Sequence, residues 1–247
     1  MRNAFAFIAP HWPAPKNVKA FVTSRERGGS TSPFDHFNMA AHVGDNPATV
    51  AKARGDLQSF IGEQHPLLWL NQTHSTLVAD SFTPNIEADA SVAFNSQYAC
   101  VVMTADCLPV FFCSEDGDRV AVAHAGWRGL ADGVLEATLD RLDLDPEKTL
   151  VWLGPAISSK HFEVGDEVRQ RFVEQLPQSF DCFEPSPFRL NHYMADLYQL
   201  ARLKLAERGV EQVYGGAFCT YAERKRFYSY RRDGQTGRMA SVIWLAD

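Results

Sequence analysis

Apolar residues along the chain recur with two different periods, and the change from one to the other predicts the order of elements. Short β-branched or alternating runs predict strands at Val18 to Thr23, Leu67 to Leu70, Cys100 to Thr104, Val110 to Cys113, Val120 to Ala123, Leu150 to Leu153 and Val242 to Leu245. Between them, apolar positions three and four apart predict helices. One begins at Asn46 as N-cap with Pro47 at the first helical position, and Val50, Ala53, Leu57, Phe60 and Ile61 fall on one face. A second starts near Trp127 to Ala131 and continues through Val134, Thr138 and Leu142. A third runs from about Tyr193 to Arg208, with Leu197, Leu200, Ala201 and Leu205 inward and Gly209 placed to end it. Strands and helices are mixed along the whole chain.

One turn in this pattern has geometric consequences. Asp116-Gly117 between two apolar strands is a strong hairpin signal. With these two as loop residues, His124 lies opposite Pro109, and Cys107 is only two residues further along. At roughly 3.4 Å per residue, Cys107 and His124 emerge within about 7 Å of each other at the open end of the hairpin.

Composition narrows the class. The 247 residues are 45% hydrophobic and 22% charged, enough to bury a sizeable core without staples or structural metal. No repeat, low-complexity tract or linker divides them, so one domain over 1–247 is expected. Against 24 basic residues stand 30 acidic ones, a formal charge of −6, which is the wrong sign for a protein that lives on nucleic acid; a small substrate is expected instead. Met1 to Pro10 lacks the basic and long apolar regions of an export signal. Apolar runs near Ala99 and Leu108 are interrupted by Asp106 and Glu115, short of a membrane span. Five cysteines (Cys100, Cys107, Cys113, Cys182 and Cys219) at irregular spacings fit a reduced compartment, so a cytoplasmic location is expected.

Three of the residues with metal-ligating chemistry sit just past predicted strand ends. They are His74 in Gln72-Thr73-His74, Cys107 in Ala105-Asp106-Cys107-Leu108-Pro109, and His124 in His124-Ala125-Gly126-Trp127-Arg128-Gly129. Thiolate and imidazole both suit zinc, and three protein ligands leave a fourth tetrahedral position open for water or substrate. Copper is accommodated by the same donors. The hairpin brings together only two of the three. A second reading keeps Cys107 as nucleophile and His124 as base, with Asp106 or another carboxylate as orienter, and needs no metal: a cysteine hydrolase. Multinuclear copper oxidation demands many imidazoles in His-x-His pairs, whereas the chain has eight His and no such pair. Two arginine-bearing segments could receive an anion or a base. Thr23-Ser24-Arg25-Glu26-Arg27-Gly28-Gly29-Ser30 is either a phosphate-binding turn or a solvated one; Phe227 to Gly234, with Tyr228, Tyr230, Arg231 and Arg232, is either a stacking surface or an edge strand.

The motifs taken together closely resemble the YfiH family, also called the laccase-domain or multicopper polyphenol oxidase family. The resemblance rests on Thr23-Ser24-Arg25 with Gly28-Gly29, Asn38 with His42-Val43-Gly44-Asp45, the three ligand motifs, Gly154-Pro155-Ala156-Ile157, Phe162-Glu163-Val164-Gly165 and Tyr228-Ser229-Tyr230-Arg231-Arg232-Asp233, and it spans nearly the whole chain. It implies a single α+β domain of four layers, α/β/β/α with mixed β-sheets, and a zinc site at His74, Cys107 and His124. It implies a purine nucleoside phosphorylase that cleaves adenosine, inosine, guanosine or methylthioadenosine with phosphate and can deaminate adenosine. Editing of peptidoglycan precursors is the alternative role it implies. On this reading Arg25 positions phosphate, Asn38 and His42 contact sugar or base, and Gln72 and Asp106 complete the substrate-binding set beside the ligands they orient. Monomer and homodimer are both compatible with it.

Overall fold

The computed structural model describes residues 5–246; residues 1–4 and 247, and with them the start of the stretch read as lacking an export signal, lie outside the described residues. In chain order the strands are β1 Phe7–Ile8, β2 Val18–Thr23, β3 Leu67–Leu68, β4 Val78–Ala79, β5 Ala90–Ala93, β6 Ala99–Thr104, β7 Leu108–Ser114, β8 Val120–Ala125, β9 Thr149–Leu153, β10 Glu163–Gly165, β11 Phe183–Pro185, β12 His192–Ala195, β13 Val213–Gly215 and β14 Met239–Leu245. The α-helices are α1 Pro47–Ile61, α2 Trp127–Asp132, α3 Val134–Leu142, α4 Asp166–Gln175, α5 Leu197–Glu207 and α6 Tyr230–Asp233.

β6, β7, β8, β9 and β14 are buried at every residue, which requires both faces of their sheets to be covered. Two mixed sheets meet this requirement by packing on one another. The first has the order β1-β2-β14-β6-β3 and the second β13-β9-β7-β8-β5-β4; a small third sheet is β10-β12-β11. Alternation assigns the faces. Cys100, Val102 and Ile243 of the first sheet meet Phe111, Val122 and Trp152 of the second between the sheets. Val101, Met103 and Val242 face outward beneath Ala53, Leu57 and Ile61 of α1. On the far side, Val110, Phe112 and Ala121 face α2, α3 and α5 through Leu130, Val134 and Leu200. The layers are therefore α/β/β/α with mixed sheets, the α+β arrangement expected. No helix among the described residues is long and apolar enough to cross a membrane.

Four sequence expectations need correction. The helix expected from Tyr193 begins only at Leu197, because His192–Ala195 pairs with β10 and β11 and Asp196 caps the helix through Gln199 N–H. The helix expected from Trp127 to Leu142 is two, broken at Gly133, whose φ of 101° ends α2. The strand from Leu67 stops at Leu68. Phe60 leaves the buried face of α1, 42% exposed, to meet Phe5 and Phe21 edge-on. The hairpin holds: β7 and β8 pair antiparallel with Pro109 opposite His124.

Candidate metal centre and substrate cleft

The segment Thr104 to Leu108 carries the chain from the first sheet to the second, since β6 ends at Thr104 and β7 begins at Leu108. Cys107 sits in that crossing. His124, one residue from the end of β8, shares a strand face with Val120 and Val122 and so points between the sheets toward it. His74 comes from the loop between β3 and β4, with a left-handed φ of 62°. The three ligand atoms lie within 4.8 Å of one another, Cys107 Sγ is 3.9 Å from His74 Nε2, and the two imidazoles pack edge to face at 4.8 Å. Gly126 keeps the space open: a Cβ there would lie 2.8 Å from His74 Cδ2 and 3.0 Å from Cys107 Sγ. Donor types, separation and the small neighbour all fit a bound metal ion.

The carboxylate that organises these residues is Asp89, just before β5 and fully buried. Its Oδ1 accepts from His74 N–H at 3.1 Å and lies 2.7 Å from His124 Nδ1. Its Oδ2 accepts from Thr73 N–H, Ser75 N–H and Ser75 Oγ. One side chain thus fixes the loop that holds the first ligand and orients the ring of the third, leaving His124 Nε2 for the ion. Burial alone would raise the Asp89 carboxyl, but the hydrogen bond and charge of His124, with the Ser75 bonds, bring it down to about 2. Burial works likewise against the charged forms of Cys107 and His124. Each overcomes it through the other, so the thiol is pulled down and the imidazole pushed up. Asp89 has no spacing signal; an acid set directly against an apolar strand was its only trace in the sequence.

These ligands open into a cleft of about 570 Å³, a size usual for small-molecule sites. Of the substrate residues expected, His42, Gln72 and Asp106 line it. Gln72 clamps the Met103 backbone, donating to its carbonyl at 2.9 Å and accepting its N–H at 2.8 Å. Asp106, with φ of 95°, has both oxygens engaged, by Thr220 Oγ1 at 2.6 Å and Arg231 N–H at 2.7 Å. His42 is held below its ordinary value by burial, Arg238 and Arg54.

Arg25 and Asn38 are elsewhere. Arg25 donates from Nε to the Asp35 carbonyl, pairs with Asp35 and Asp233 at 3.6 and 3.7 Å, and lies over Tyr228 at 4.8 Å. It belongs to a separate depression with Arg27 and Arg224, and its charge is already answered. Asn38 is fully buried and bonds to Ala40, Asp45 and the Arg238 N–H. Nor is the Phe227 to Gly234 segment an edge strand: Ser229 caps α6, Tyr230–Asp233, where Arg232 bonds the Thr220, Tyr221 and Phe227 carbonyls. Sequence reading missed the cleft arginines Arg128 and Arg238, and took Arg231 only as part of a doubtful stacking surface.

Known proteins resemble this chain over almost its whole length. Residues 19–246 match the sequence profile of the family described as multi-copper polyphenol oxidoreductase laccase. The chain is 49% identical to a purine nucleoside phosphorylase of Pseudomonas aeruginosa, over 98% of this chain and 99% of that one. It is 47% identical to the purine nucleoside phosphorylase YfiH of Escherichia coli, over 96% and 98%. The crystal structure of a Neisseria meningitidis protein superposes with a TM-score of 0.93 at 47% identity, covering 98% of this chain and 99% of that one. The chain therefore belongs to the multi-copper polyphenol oxidoreductase laccase family, among the YfiH proteins.

Proposed function

We propose that this protein is a zinc-dependent purine nucleoside phosphorylase, with zinc held by His74, Cys107 and His124 and adenosine deamination as a side activity. The observation that carries the reading is a group of three candidate metal ligands lining a cleft together with cationic and aromatic side chains, in a chain so similar to proteins named as phosphorylases. When bound, zinc supplies Lewis acidity at a coordination position that the protein leaves open. The remaining work belongs to the chain. Trp127, Phe162 and Tyr230 offer apolar faces to a purine. His42, kept neutral, offers a hydrogen bond to base or sugar without adding charge. The guanidinium groups of the cleft attract phosphate, whose attack must be lined up with the departing base. Among the described residues the metal-binding grouping of three or more ligands is this one, and it cannot serve the several coppers of a laccase mechanism.

A second reading has its own support. Cys107 paired with His124, itself oriented by Asp89, is also the arrangement of a cysteine hydrolase, which would act on peptidoglycan precursors. The orienter is Asp89 and not Asp106. Chromatography of inosine with phosphate separates the two readings. Phosphate-dependent formation of hypoxanthine and ribose 1-phosphate, abolished in Cys107→Ala together with bound zinc, is the expected result. No release from inosine, together with hydrolysis of a peptidoglycan precursor that survives a strong chelator and stops on thiol alkylation, would replace the phosphorylase by the hydrolase.

A further inference from the structure

Among the described residues, the cleft holds an arginine, Arg238, that forms no ion pair. Arg238 precedes β14 and, by the register that sets Met239 against Thr104, lies across from Ala105, one residue before Asp106 in the crossing that carries Cys107. Its backbone is held on both sides, N–H to Asn38 Oδ1 at 2.9 Å and carbonyl from Met39 N–H at 3.1 Å. Nη1 donates to the Thr236 and Gly237 carbonyls at 2.9 and 3.0 Å, which fixes the plane of the guanidinium. Nε and Nη2 have no hydrogen-bond partner among the described residues, and no carboxylate pairs with Arg238 there. Its neighbours differ: Arg232 is paired with Asp233, and Arg25 with Asp35 and Asp233. Burial pulls the Arg238 guanidinium below its ordinary value, while Cys107, Asp106 and Tyr230 act in the opposite sense, so this charge is partly stripped of water and near the metal ligand.

A half-desolvated charge that stays unpaired is costly unless a ligand completes it. Among the described residues Arg128 and Arg231 also line the cleft without an ion pair, and the cleft's carboxylate, Asp106, turns one oxygen to Thr220 Oγ1 and the other to the Arg231 backbone N–H. Three guanidinium groups against one occupied carboxylate make a strongly cationic pocket in a chain of formal charge −6.

We propose that Arg238, fixed by Asn38 and by the Thr236 and Gly237 carbonyls, is the anchor that binds inorganic phosphate in the cleft, the role that Arg25 cannot fill. The two free donor positions, Nε and Nη2, lie on one edge of the guanidinium and suit two oxygens of a tetrahedral oxyanion. The inference rests on the phosphorylase reading for what the anion does, not for whether it binds. In that reaction a phosphate oxygen forms the bond to the sugar's anomeric carbon as the carbon–nitrogen bond to the base breaks. The electron pair leaves with the base, and the proton lost by hydrogenphosphate balances the one gained by the base nitrogen.

The test titrates inorganic phosphate into the zinc-loaded protein by calorimetry and, separately, measures the phosphate and inosine KM values. Arg238→Met is expected to weaken phosphate binding and raise the phosphate KM by about 10- to 100-fold, with zinc content and inosine KM little changed. Arg238→Lys, which keeps the charge but not the fork, should fall between, and it serves if the Met variant does not fold. Arg25→Met should lose thermal stability yet bind phosphate as the wild type does. Wild-type phosphate affinity in the Arg238 variants, or no phosphate binding by the wild type, would overturn the proposal. Arg238-dependent phosphate binding without any phosphorolysis would leave the anion site standing and remove the phosphorylase reading instead.

Discussion

Asp89 shows how much one buried carboxylate can set. Its folded value of about 2 lies below the ordinary value of 3.8, so its contribution to stability is fully present above that ordinary value and is lost as pH falls through the folded one. A shift of this size corresponds to about 2 kcal/mol. In Asp89→Asn one acceptor oxygen becomes an amide NH2, a donor that faces the N–H donors of Thr73 to Ser75 or the His124 ring. Zinc affinity should drop about 10- to 100-fold, because the oriented His124 ring is lost. The loss of wild-type stability between about pH 4 and pH 2 should also become shallower in the variant. Competition with a metal indicator and urea unfolding across that range check both; an Asn variant with wild-type zinc affinity would show that Asp89 does not orient the site.

The elements act on the site chiefly through their ends. β6, β7 and β8 are buried at every residue, and the candidate ligands sit at their ends, Cys107 directly before β7 and His124 one residue from the end of β8. Gly126 illustrates the tolerance there. It precedes α2 with φ of −64°, a conformation open to any residue, so Gly126→Ala carries no backbone penalty. The added Cβ would instead press on both His74 and Cys107. The variant should unfold at nearly the wild-type temperature while binding less zinc per chain, as elemental analysis beside calorimetry would reveal; full zinc occupancy would mean that the ligands yield more easily than their packing indicates. Where sequence and structure part at this scale, the cause is also local. The Tyr193 to Ala195 residues satisfy helical spacing and strand pairing alike, and partners on the neighbouring β11 and on β10, beyond α4 in the sequence, decide for the strand.

For the whole molecule, the metal-binding grouping found among the described residues lies at the rim of the core, so the fold should not depend on an ion there. Stripping the protein with a strong chelator should preserve its far-UV spectrum and cooperative unfolding, and free zinc at a hundred times its dissociation constant should raise Tm by roughly 5–10 °C. Loss of the cooperative transition would make the metal structural. Much of this was legible in the chain itself. Apolar period and turn chemistry determined the hairpin, the N-cap at Asn46 and the pairing of Pro109 with His124, because these depend on residues near one another. The motifs also contain His74, Cys107 and His124, which the fold brings within 4.8 Å of one another. Arg25 and Arg238 look alike as sequence, each an arginine beside a strand and near glycine. Only the tertiary structure decides between them, because it pairs Arg25 with two carboxylates and, among the described residues, pairs Arg238 with none. The same holds for Asp89 and Asn38. A side chain's type follows from the sequence, but whether its charge or hydrogen bonds remain free for a ligand depends on partners brought together across the fold.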